Sequence, residues 1–247
     1  MRYMGSKRRI AGDILPIMLE SSDSKVFVDV FCGGCSVIEN VPSSYKRIAI
    51  DSNKYLISMW RELVYPKPHV YDALPEHITK EMYEKAKRQT GDCPLGEYCE
   101  FDVGWIGFMA SFNGRFFNGY TGHNVVGKDG RRRDYIAEYI ANVKKDIPLL
   151  KGVEFVASSY DGFDYPEGCI IYCDPPYSRS TGYKCTGKFN RENFYMWCME
   201  MSLRGHKVFV SEYDMPSEFT CIWEKELVNS LSPTRTKMPL ERLFTIR

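Results

Sequence analysis

Several features that would fix the class of this chain at once are missing from it. Among its 247 residues no apolar run approaches the roughly 20 residues that a membrane-crossing helix needs. The first ten residues, "MRYMGSKRRI", carry no apolar core of the kind a secretory signal requires, so the expected compartment is the cytoplasm. An excess of either charge is missing too. Lys plus Arg number 33 against 32 Asp plus Glu, which excludes a polycation and requires any nucleic-acid surface to be local. There is no internal repeat, low-complexity tract or Pro/Ser-rich linker. The complete G-x-G-x-x-G of dinucleotide enzymes is absent, and no hydride-handling constellation replaces it, which weighs against a nucleotide-dependent oxidoreductase.

What is present has the proportions of an ordinary globular protein, 44% hydrophobic and 26% charged. The length suits one sizeable α/β domain, or one carrying a smaller insertion. Nine cysteines, an odd number scattered without an export signal, favour reduced thiols.

Seven short runs rich in β-branched and aromatic residues are expected to be strands: "KVFVDVF", "RIAID", "VEFVAS", "CIIYCD", "KVFVSEY", "TCIWEKEL" and "RLFTI". Continuous runs such as "CIIYC" suit strands covered on both faces, the situation in parallel sheets. Between them, Lys7 to Leu19, Ser52 to Leu63 and Arg191 to Leu203 have apolar spacing near 3.6, and Gly205 stands where a helix would stop. That alternation predicts a doubly wound, Rossmann-like α/β sheet.

From about Pro66 to Leu150 the signals are helical or irregular, with no strong buried strand, and the segment reads as an insertion. The expected division is 1–62 and 151–247 for the sheet and 63–150 for the insert. Asp129-Gly130 is a good tight-turn pair and predicts a hairpin. Two local basic clusters stand out, Lys7 to Arg9 and "GKDGRRR" from Gly127 to Arg133. A triple arginine is as readily a solvated face as a phosphate contact.

The stretch "FVDVFCGGCSV" reads as a strand, a glycine turn and a helix start. Such a turn lets backbone approach a ligand closely and presents amides to polar groups. Asp51 ends the next strand roughly 20 residues on, where a carboxylate can accept hydrogen bonds from both ribose hydroxyls of a nucleoside. It can equally cap the helix beginning near Ser52 and Asn53. Cys32 and Cys35 have C-x-x-C spacing, but a zinc site needs two further ligands. Neither Cys93 with Cys99 nor Cys169 with Cys173 has knuckle spacing, so no metal is expected.

The segment "IIYCDPPY" ends a strand in Asp174, after which two prolines stop the ladder and fix an extended turn. Pro-Pro offers carbonyls and no amide hydrogens. Asp174 and the carbonyl of Pro175 can therefore accept the two hydrogens of an exocyclic amine, with Tyr177 stacking on the base. A strand-ending turn with a surface tyrosine is the alternative.

With "RYMGSK" at the start, "FVDVFCGG" after it, then Asp51, "FNGRFFN" and "DPPY" in that order, the sequence resembles the DNA adenine methylases of the Dam-like D12 class. The resemblance spans almost the whole chain. It implies a methyltransferase sheet with an inserted DNA-recognition region, and S-adenosylmethionine as methyl donor to the N6 amine of an adenine flipped out of double-stranded DNA. It further implies that Tyr3 and Lys7 touch the cofactor, with Lys7 reaching towards the transfer site, and that Asp29, Phe31 and Gly33 lie along the cofactor. Asp51 would hold its ribose, Tyr160 would border its adenine, and Asp174, Pro175 and Tyr177 would form the target pocket, Asp174 also reaching the cofactor. Arg115, Asn118, Lys128, Arg131, Arg132 and Arg133 are the candidate DNA contacts. A monomer that pairs at most transiently on DNA is expected, in a bacterial or phage-infected cell. The run "GHNVVGKDG" departs from the family pattern, so no target sequence carries over. An RNA adenine or a protein amide as acceptor, or a nonenzymatic DNA-binding module, are the rival readings.

Overall fold

Each of the seven apolar runs forms a strand in the computed structural model, which describes residues 1, 3–67, 74–91, 96–126, 130–176, 189–226 and 240–247. In chain order the elements are α1 (Ala11–Glu20), β1 (Val26–Asp29), β2 (Lys46–Asp51), α2 (Lys54–Val64), α3 (Lys80–Arg88) and α4 (Glu100–Met109). There follow β3 (Val125–Val126), β4 (Arg132–Arg133), α5 (Tyr135–Asp146), β5 (Val153–Ala157), β6 (Ile170–Cys173) and α6 (Arg191–Leu203). The chain closes on β7 (Lys207–Glu212), β8 (Phe219–Glu226) and β9 (Leu240–Ile246).

The large sheet has the order β5-β2-β1-β6-β7-β9-β8. The pairs from β5 through β7 are parallel, while β9 runs antiparallel to both β7 and β8. The sheet is thus mixed; the parallel arrangement that runs such as "CIIYC" suit holds from β5 through β7. The reason shows in the burial: β8 exposes most of its residues after Phe219 and need not be covered on both faces. A seven-stranded mixed sheet of this order is consistent with a methyltransferase fold.

Period-two alternation sends neighbouring residues of one strand into two separate cores. Phe27, Ala49, Ile170, Tyr172, Phe209 and Leu243 join the core that holds the apolar faces of α1 and α2. Val28, Ile48, Ile171, Val208 and Val210 join the core built with Phe194, Cys198 and Met201 of α6. Residues 66–150 contribute no described strand to this sheet. They are nonetheless continuous with the first core through Tyr83, Trp105, Phe108 and Ile140. The two parts meet tightly at Gly104 on α4, where an added Cβ would collide with the carbonyl of Tyr55 on α2. The predicted hairpin exists as β3 against β4, with Gly130 at φ +73°; Lys128 and Asp129 lie outside the described residues.

Two helix boundaries differ from the sequence reading. After the glycine turn the chain makes only a 3-10 turn, Ile38–Asn40, instead of a helix. Pro42 holds Val41 in the extended region at φ −68°, ψ 130°, which stops the turn. α1 starts at Ala11, not Lys7: Ile10 is its N-cap, with non-helical φ −121° and ψ −9°.

Candidate active site

Strand order reverses between β1 and β6: β1 leads to β2 on one side, whereas β5 leads to β6 on the other. In open α/β sheets the crevice at the carboxyl ends of such strands is where ligands bind. Three acidic residues meet there, Asp29 closing β1, Asp51 closing β2 and Asp174 following β6. They sense one another. The carboxyl of Asp29 is pushed well up by burial first and by the charge of Asp174 second, against a lowering hydrogen bond from the Ile38 amide.

Lys7 supplies the opposing charge. Its side chain is 6% exposed, with Nζ 3.0 Å from Asp174 Oδ1 and 3.7 Å from Glu241 Oε2, and it donates to the Gly5 carbonyl at 3.1 Å. Burial alone would lower its pKa. The neighbouring carboxylates of Asp174 and Glu241 outweigh burial and raise it, so the ammonium is held protonated. Pro175 is buried beside it. Tyr177, the aromatic expected at the end of this turn, lies outside the described residues.

The glycine turn is fixed from several sides. Gly33 N–H donates to Asp51 Oδ2 at 3.2 Å, its carbonyl accepts from the Trp60 indole at 3.0 Å, and its φ of +46° favours glycine. A Cβ on Gly33 would stand 2.6 Å from the Tyr3 ring, and one on Gly34 2.7 Å from the Tyr3 Cβ. A close approach that the two glycines permit is made by Tyr3. Asp51 Oδ1 accepts from Asn53 N–H at 2.9 Å, while Asn53 itself caps α2 through Tyr55 and Leu56. Asp51 is thus not the cap. Burial raises its carboxyl to about 6, in spite of these two amide bonds.

Beside the turn the side chains are aromatic. Phe31 lies 6.0 Å from Tyr160, 5.9 Å from Phe189 and 5.8 Å from Phe194, centroid to centroid. Cys32 and Cys35 are buried and hydrogen-bonded to each other, and burial pushes both thiols up. A redox role needs the thiolate, which this environment disfavours.

Sequence reasoning missed Glu241, Trp60, Phe189 and the pair Arg191–Glu212. The signal available was a glutamate inside each of two apolar strand runs, "KVFVSEY" and "LERLFTI". The described candidate DNA residues differ in their surroundings. Arg115 is half-buried, its Nε against Met4 Sδ, while Asn118 is exposed. Arg131, Arg132 and Arg133 are exposed on the hairpin, and Arg133 makes two bonds to Glu138, at 2.9 and 2.7 Å, with its guanidinium over the Tyr135 ring.

Residues 3–95, which carry Tyr3, Lys7, the glycine turn and Asp51, match the model of the D12 class N6 adenine-specific DNA methyltransferase family. That match covers 93 of the chain's 247 residues. It is 25% identical over 205 residues to the Type II methyltransferase M.FokI of Planomicrobium okeanokoites, covering 74% of this chain and 29% of that protein. To the modification methylase StsI of Streptococcus sanguinis it is 26% identical over 205 residues, 76% of this chain and 30% of that one. The chain therefore spans under a third of the length of these curated relatives. No helix among the described residues is long and apolar enough to cross a membrane.

Proposed function

We propose that this protein transfers a methyl group from S-adenosylmethionine to the exocyclic N6 amine of adenine in double-stranded DNA. The observation that carries the reading is the D-P-P turn at the end of β6, where Lys7 grips one oxygen of Asp174 beside two consecutive prolyl carbonyls. This is an acceptor-rich rim next to a buried cation, on a sheet whose neighbouring strands end in further carboxylates.

The residues present fit the cofactor. Asp51, at the end of β2, keeps lone pairs beyond its two amide bonds and would hold the ribose hydroxyls. The packed aromatic cluster of Phe31, Tyr160 and Phe189 would offer an apolar face to a flat purine. Tyr3 and Gly33 form the floor of the turn, and Asp29 stands next to it as a carboxyl whose pKa burial pushes well up. When bound, S-adenosylmethionine supplies an electrophilic methyl on sulfur.

An adenine amine is a weak nucleophile because its lone pair is delocalised into the ring. Asp174 and the Pro175 carbonyl would accept its two hydrogens, turn the lone pair out of conjugation and aim it, so positioning is the principal lever. As positive charge grows on nitrogen the same acceptors stabilise it, most effectively in a dry pocket. Lys7 holds Asp174 in place through its Oδ1. Flipping the base costs a few kcal/mol. The hairpin arginines, together with Arg115 and Asn118, are the surface offered to duplex DNA.

The test is direct. Purified protein is incubated with radiolabelled S-adenosylmethionine and duplexes of diverse sequence, and the DNA is digested to nucleosides. Label in N6-methyladenine is expected; label in cytosine, or in no nucleobase, overturns the reading.

A further inference from the structure

Two prolines in succession cannot hold a turn by their own amides, because neither has an N–H to donate. A D-P-P rim must be fixed from outside, and its two ends are fixed differently. At the Asp174 end Lys7 does it, backed by Glu241 from β9. At the other end stands Arg191, the first residue of α6. Its Nη2 donates to the Pro176 carbonyl at 2.8 Å, and its Nη1 to Glu212 Oε2 at 3.0 Å, at the end of β7.

Nothing about helix formation explains a cation at this position. The first turn of a helix already carries partial positive charge and favours anions, and Asn190 caps α6 without help from Arg191. Glu212 is equally unexpected in a strand: its side chain is 1% exposed, and a buried carboxylate is tolerated only when paired and hydrogen-bonded. Its other oxygen takes the Tyr213 amide at 2.8 Å. The Phe189 ring, 5.9 Å from the guanidinium, closes a third side and joins this cluster to the aromatic residues packed around Phe31. Each of these costs is offset if the pair has a task at the turn. A guanidinium fork can hold a carboxylate and a carbonyl at once in fixed geometry, which an ammonium does less well.

We infer that Arg191 is a positioning residue for methyl transfer. By tying the Pro176 carbonyl to Glu212 it engages the second prolyl carbonyl and fixes the peptide orientation that turns the carbonyl of Pro175, with Asp174, towards the target amine. Arg191 acts through the turn and touches neither substrate nor cofactor. The inference rests on the methyltransferase reading given above.

The test uses the full chain with S-adenosylmethionine and a duplex that the parent methylates, comparing Arg191→Met, Arg191→Lys and Glu212→Gln. For Arg191→Met, kcat should fall on the order of 10²-fold, as misplacing reacting groups by about an ångström does. Cofactor Kd and duplex KM should stay within about threefold, since ground-state binding is unaffected. Arg191→Lys keeps the charge opposite Glu212 but not the fork, and should recover only part of kcat at a parent-like melting temperature. Glu212→Gln should show a smaller loss than Arg191→Met. If Arg191→Met does not fold, Arg191→Lys decides: a kcat reduced at least about fivefold in a folded protein supports the role. A folded variant at parent kcat overturns it. So does an activity loss in which kcat and cofactor binding fall together with stability and lysine restores all three. A parent that methylates no adenine fails the functional reading and takes this inference with it, whereas an active parent with indifferent variants fails the inference alone.

Discussion

Basic side chains meet acidic ones in two parts of this molecule, and the two meetings differ in kind. At the carboxyl edge of the sheet, Lys7 and Arg191 lie among carboxylates that are nearly removed from water, Glu212 at 1% exposure and Glu241 at 12%. On the β3–β4 hairpin, Arg133 and Glu138 pair at 46% and 38% exposure. In the first region each charge is costly alone and therefore locked to a particular partner. In the second, water already solvates both partners and the pair can dissolve when a better anion arrives. The same residue types thus build a rigid template in one place and an exchangeable surface in the other. Under the proposed function, the first would aim one amine and the second would meet phosphates.

The largest break in this comparison should come from Lys7→Met. It leaves Asp174 and Glu241 facing each other with little water, and removing one partner of a buried ionic cluster typically costs about 3–5 kcal/mol. Urea denaturation measures it, and a loss of only a few tenths would put the cluster in the same class as the hairpin pair. The pH dependence has a definite sign. The Lys7 pKa is raised above its ordinary 10.5, so its stabilisation is complete below 10.5 and is lost only as pH rises through the higher folded value. No alkaline weakening from this cluster is expected between pH 7 and 10.

Asp174→Ala comes next. Lys7 retains Glu241 as a partner, so the fold should survive, while kcat for methyl transfer drops on the order of 10² to 10³-fold, the range for removing one group that stabilises developing charge. Calorimetric titration with S-adenosylmethionine should show binding largely retained. If activity and cofactor binding fall in parallel, Asp174 serves the cofactor and not the amine.

Asp51 sharpens the buried side of the comparison, because its hydrogen-bond partners among the described residues are amides. Its folded carboxyl sits at about 6, above the ordinary 3.8. Its stabilisation is therefore present below 3.8 and lost as pH rises through about 6. Hydroxyl donors from a ribose would favour the ionised form. Cofactor affinity should consequently weaken by about tenfold between pH 7 and pH 5. The dependence should vanish in Asp51→Asn, and its persistence there would assign the titration to another group.

How much of this could be read from residues alone follows the same contrast. The inner strands were legible because two buried faces demand continuous apolar runs, as in "CIIYC". Asp174 was legible because Pro-Pro after a strand leaves little else for the turn to be. The antiparallel entry of β9 was not legible, since apolar content says nothing of strand direction. The glycines of "CGGC" were legible as a close approach, but not its occupant: Tyr3 lies 30 residues away in sequence from Gly33. Arg191 and Glu212 were missed for the same reason. Their partnership spans a helix start and a strand end, and only the packing of α6 against β7 brings them together.

The smallest expected effects lie on the hairpin, and they separate three arginines that the sequence presents as equals. The base of the hairpin is anchored: His123 Nε2 accepts the Ile78 amide at 3.2 Å and its Nδ1 meets Asp134, the cap of α5, at 2.7 Å. Arg133 adds its bidentate bond to Glu138 near the start of α5, so Arg133→Gln should cost about 0.2–1 kcal/mol of stability, as exposed pairs do. Arg132→Gln should leave stability within about 0.5 kcal/mol, as surface substitutions away from special features do. On DNA the order should reverse. Taking one cation away from a phosphate flattens the plot of log K against log salt by about 0.9. Arg132→Gln should show that change in full, and Arg133→Gln less of it, because Glu138 competes with phosphate for the same guanidinium. Equal slopes for both variants and the parent would mean that the hairpin is a solvated face and that duplex DNA is held elsewhere.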